Sequence, residues 1–162
     1  MTNPKLKVSL DNVSAGWVAV SFAAGSHEFS DSVSYVTPVF DDLCDALSAV
    51  LDGALPRAIT LCAEPIEYDV SFLPIEGSQS IRLVILEWPD DGRRSPARSN
   101  IIFSMEGSRF SIVYSFWRGL RKLQSSLPAE IFEREWRSAF PDEAFAKLTQ
   151  RIDTIKSSIK GT

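Results

Sequence analysis

The chain has 162 residues, of which 44% are hydrophobic and 23% charged, with a net charge of −4 and two cysteines. This composition excludes a disordered or fibrous chain and suffices for one core without disulfides or metal, while the acidic balance argues against a general nucleic-acid binder. The longest apolar runs, such as Ile101-Ile102-Phe103, are too short for a membrane span, and Met1-Thr2-Asn3-Pro4-Lys5 has no apolar stretch behind its lysine, so a single cytoplasmic domain over 1–162 is expected.

Leu6, Val8 and Leu10 alternate with polar residues and predict a first strand; Val18, Val20 and Phe22 predict a second, and Phe29, Val33 and Tyr35 a third, with turns at Asp11-Asn12 and Gly25-Ser26. A helix follows, with Thr37 as its expected N-cap, Pro38 in its first turn and Gly53 at its end. Phe40, Leu43, Cys44, Leu47, Val50 and Leu51 form its apolar stripe. Two strands, Arg57 to Ala63 and Glu67 to Leu73, flank Glu64-Pro65, where the proline belongs in a turn or at an edge. Ile81 to Leu86 is apolar on both faces, as a central strand is, and Ile101 to Met105 pairs back against it. The connector 89–100 is long for a hairpin.

From Ser108 the apolar period becomes helical. Phe110, Val113, Tyr114, Trp117 and Leu120 lead one helix, Ile131, Phe132, Trp136 and Phe140 a second, and Phe145, Leu148, Ile152, Ile155 and Ile159 a third. Glu130–Arg134 and Glu133–Arg137 have the spacing of helical ion pairs. The expected class is α+β: a mainly antiparallel sheet of six to seven strands within 5–106, one inserted helix, and two to three helices within 108–160 packed on the sheet. Residues 1–106 carry seven Lys/Arg against fifteen Asp/Glu, and residues 107–162 carry ten against six, so an acidic sheet region faces a basic helical one.

Ser34-Tyr35-Val36-Thr37-Pro38, Glu64-Pro65-Ile66-Glu67-Tyr68 and Glu133-Arg134-Glu135-Trp136 before Ala139-Phe140-Pro141 follow one another in an order that resembles a family of small bacterial proteins of unknown function, over about residues 16–155. The resemblance implies a cytosolic bacterial protein and brings no catalytic residues.

Chemistry-bearing residues are sparse. His27 stands alone beside a turn, and Cys44 and Cys62 lack a histidine or second thiol at ligand spacing; no cofactor and no metal site is expected. Arg93, Arg94 and Arg98 in the long connector are the leading binding candidates, because guanidinium groups grip carboxylate or phosphate in pairs of hydrogen bonds. Glu64 and Glu67, with Asp69 beyond them, are the alternative: paired carboxylates suited to acid–base chemistry or a divalent cation. Arg118, Arg121 and Lys122 around Trp117 read as solvated charges beside a core tryptophan. The leading expectation is a non-enzymatic protein-binding or regulatory module, in one form an immunity-type protein that neutralises a toxin, with a protein partner or a second copy as its ligand and neither nucleic acid nor membrane. The alternative is a small-molecule-binding protein or enzyme with a pocket between sheet and helices.

Overall fold

The computed structural model describes residues 4–89, 94 and 96–160. Strands β1 (Lys7–Ser14), β2 (Trp17–Ala24) and β3 (His27–Ser34) form one antiparallel sheet in the order β1-β2-β3. Ala15 and Gly16 join β1 to β2, both with positive φ (51° and 82°), the backbone that a two-residue hairpin needs. The Gly16 N–H donates to the Glu135 carbonyl at 2.7 Å, which ties this hairpin to the helical half. Strands β4 (Arg57–Cys62), β5 (Glu67–Pro74), β6 (Ser80–Trp88) and β7 (Asn100–Ser108) form a second antiparallel sheet in that order. Helix α1 (Val39–Leu51) joins the two sheets, and α2 (Arg109–Ser126), α3 (Ala129–Trp136) and α4 (Asp142–Lys160) follow.

The α+β class and the seven antiparallel strands agree with the sequence expectation; the single sheet does not. The strands divide three and four, because each set has one apolar face and the two faces turn toward each other. Phe22 lies 6.2 Å from Phe103, and Phe29 lies 4.8 Å from Tyr68, ring centre to ring centre. Helix α2 joins both: Phe116 is 5.2 Å from Phe22 in the first sheet and 5.5 Å from Phe72 in the second. One buried apolar cluster therefore draws on both sheets and all four helices. Strand β6 is interior to its sheet, as its two-faced apolar pattern required: Ile81, Leu83 and Ile85 enter the core and Val84 is buried on the other side.

Ser108 caps α2 through its Oγ, which accepts from Ser111 N–H at 3.0 Å. The expected Thr37 cap of α1 does not form. Pro38 takes the cap position with non-helical ψ (71°), which starts the helix at Val39 and leaves the buried Thr37 Oγ1 without a partner among the described residues. Further expectations need correction. Strand β1 runs through Asp11-Asn12 and turns only at Ala15-Gly16, and β3 ends at Ser34, before the exposed Tyr35. Ile159 is 59% exposed, because the end of α4 runs past the core. Neither Glu130–Arg134 nor Glu133–Arg137 is an ion pair among the described residues; Arg137 ends α3 in a left-handed conformation and sends its guanidinium over Tyr35, 5.2 Å from the ring centre.

Candidate functional site on the outer face of the four-stranded sheet

Along β5, Tyr68, Val70 and Phe72 point into the core, so Glu67, Asp69 and Ser71 point out. Register then decides what meets them. Thr60 of β4 lies opposite Asp69, and Trp88, the last residue of β6, lies opposite Glu67. Strand β6 therefore ends beside the two carboxylates, and Arg94 lies over them.

The Arg94 guanidinium grips Asp69 with two bonds, Nη1 to Oδ2 at 2.6 Å and Nη2 to Oδ1 at 3.0 Å. It also reaches Glu67 Oε1 from Nε at 3.2 Å and from Nη2 at 3.1 Å, while its plane lies 5.0 Å from the Trp88 ring centre. Asp69 is the hub. It additionally accepts from Thr60 Oγ1 at 2.9 Å and from Trp88 Nε1 at 3.1 Å, and its side chain is only 16% exposed against 35% for Arg94. Hydrogen bonding to Asp69, above all, raises the pKa of Arg94 beyond its already high value.

Beside this cluster the face carries an apolar strip. Leu86 lies opposite Ile101 of β7, whose side chain is 66% exposed, and Val84 lies between Ser71 and Ser104. An irregularity in the β6–β7 register between Ile85 and Leu86 keeps Ile101 outward while Ile102 packs against the core. Beyond Val84, Arg82 bonds Glu106 at 2.6 Å across the same strand pair. Two charged clusters thus bracket a strip containing Val84, Leu86, Trp88 and Ile101.

Of the residues expected from sequence, the structure brings Arg94 and Glu67 together, although they entered as rival sites. Glu64 is exposed at the tip of the β4–β5 turn, preceding the cis Pro65. Arg98 ends the 3-10 turn Pro96–Arg98 with its side chain exposed, and Arg93 lies outside the described residues. Sequence reasoning passed over Thr60 and Trp88 altogether and gave Asp69 a minor place. The period-two pattern already set Asp69 beside Glu67, but the partners on β4 and β6 depend on register.

Other candidates are quieter. His27 is exposed at the start of β3, its ring edge-on to Phe103 at 6.4 Å. Both cysteines are free, Cys44 buried and Cys62 half-buried, and burial ahead of the neighbouring Asp41 and Asp45 charges pushes the Cys44 thiol up to about 12. Tyr68 is raised by burial first and then by its hydrogen bond to Asp31. Among the described residues, no group of three or more His, Cys, Asp and Glu is placed to hold a metal ion, and no helix is long and apolar enough to cross a membrane. Compared with protein families, curated proteins and solved structures, the chain matches none.

Proposed function

We propose that this protein is a non-catalytic protein-binding module, and that its contact surface is the outer face of the β4–β7 sheet. The observation that carries the reading is Ile101, 66% exposed on β7 beside Leu86 and near Trp88. An apolar centre with aromatic and arginine side chains at its charged border has the composition of a protein interface. The Arg94 cluster supports binding over acid–base chemistry, because the Glu67 carboxylate is already engaged by a guanidinium. Neither Glu64 nor Glu67 lines any of the four described cavities of about 430–480 Å³. Neutralisation of a toxin by direct binding is the concrete form: a small acidic protein meets an oppositely charged partner quickly through long-range attraction.

Affinity recovery from the cells that make the protein tests this reading. The wild type and Ser21→Asp, altered on the other sheet, retain the same partner, whereas Ile101→Asp and Arg94→Glu lose it. Equal recovery by all four, or no specific partner with any, contradicts it.

A further inference from the structure

A second surface, sharing no residue with the sheet face, carries four cations and no acidic side chain. The segment leading into β1 continues the strand's alternation, with Leu6 and Val8 buried and Lys5 and Lys7 exposed. On α2, Arg118 and Lys122 are exposed one turn apart, and Gly119 between them is buried. A Cβ on Gly119 would stand 3.1 Å from both the Val8 carbonyl oxygen and a Val8 methyl. Glycine thus lets the helix approach the backbone of edge strand β1, and the two elements enclose a groove of about 440 Å³ lined by all four cations. None of Lys5, Lys7, Arg118 and Lys122 is in an ion pair among the described residues, whereas Arg82, Arg94 and Arg151 all are.

We infer that this groove binds an extended acidic segment of a protein partner. Charge complementarity selects the sign, since four unpaired cations in one concavity repel one another and gain from an anionic occupant. Spacing selects the shape. Lys5 and Lys7 are two strand residues apart, roughly 7 Å, and Arg118 and Lys122 are four helix residues apart, roughly 6 Å. Carboxylates on alternate residues of an extended peptide recur at roughly 7 Å, so one peptide presents acids to both rows in step. Single-stranded nucleic acid has a comparable phosphate spacing, but it gains affinity from bases stacked on aromatic rings, and no aromatic side chain lines the groove. The inference stands independently of the sheet-face reading, because neither the residues nor the ligand is shared.

Fluorescence anisotropy with the full chain and a labelled peptide of alternating Glu and Ser tests it. The peptide binds, its Gln counterpart does not, and the affinity falls as salt rises. Lys7→Glu and Arg118→Glu, both at exposed positions, each weaken binding by about tenfold. Lys147→Glu, with the same change in net charge on α4, leaves it unchanged; circular dichroism verifies that each variant folds. Four results overturn the inference: no binding of the Glu peptide, equal loss with Lys147→Glu, tighter binding of an oligothymidylate of the same length, or self-association abolished by the same reversals, which assigns the groove to a second copy.

Discussion

The two sheets turn similar faces inward and dissimilar faces outward. Inside, Phe22 and Phe29 of one meet Phe103 and Tyr68 of the other. Outside, the β1–β3 sheet carries Ser9, Ala19, Ser21, Ala23, Ser30 and Ser32 in register, with the half-buried Trp17 at one end of this face and Lys7 and Glu28 at the other. The β4–β7 sheet carries Val84, Leu86, Trp88 and Ile101 between the Arg94 and Arg82 clusters. A strand face that only has to meet water tolerates serine and alanine, so stability of the fold does not call for large apolar side chains there. In the proposed function, the exposed Ile101 beside Leu86 is the part of this contrast that an external contact would use.

The inner similarity is tested most severely at Phe116, which touches both sheets. Phe116→Ala is expected to cost about 3–5 kcal/mol in urea denaturation; a loss below about 1 kcal/mol would mean that the two inner faces do not depend on this ring. The outer difference is sharpened at Asp69. Asp69→Ala strands Thr60, Trp88 and Arg94 together and is expected to cost about 1–3 kcal/mol, whereas Ser21→Ala on the other outer face should stay within about 0.5 kcal/mol. Arg94→Ala should cost less than Asp69→Ala, at most about 1 kcal/mol, because its partly exposed charge is screened and Asp69 keeps its other two donors.

The smallest expected effect is alkaline and belongs to the interior. Cys44 and Tyr68 both hold their protons more tightly folded than unfolded. Their contribution is complete below the unfolded values and is lost as pH rises toward the folded ones. Stability should therefore decline as pH climbs from 9.0, the ordinary value of the thiol, toward about 12. Cys44→Ala should flatten the start of that decline in pH-dependent denaturation. In native protein at neutral pH, the half-buried Cys62 should react with a thiol reagent before Cys44 does.

Local pattern made much of this architecture legible. Of the α1 stripe, Phe40, Leu43, Cys44, Leu47 and Val50 are buried and Leu51 is half-buried, α2 starts directly after Ser108, where the apolar period changes, and β6 is interior. Each of these follows from residues within a turn or two of one another. The division into two sheets was not legible, since alternation identifies the buried face of a strand and says nothing about which edges pair. The candidate site was half legible for the same reason. Arg94 and Glu67 stood out by residue type, but their union depends on Trp88 facing Glu67 across β5 and β6, which ends β6 beside the carboxylates. Ile101 stood in the sequence only as the first residue of a strand pairing with β6, and the irregularity after Ile85 that keeps it outward depends on register.

Site-specific photocrosslinking in the cells that make the protein tests the contrast between the two outer faces most directly. A benzophenone side chain at position 101 is expected to give one discrete adduct with a partner protein, weakened when Arg94→Glu is added, and the same group at position 21 is expected to give none. Equal labelling from both positions, or a discrete adduct from position 21 alone, would contradict the assignment of the β4–β7 face as the contact surface.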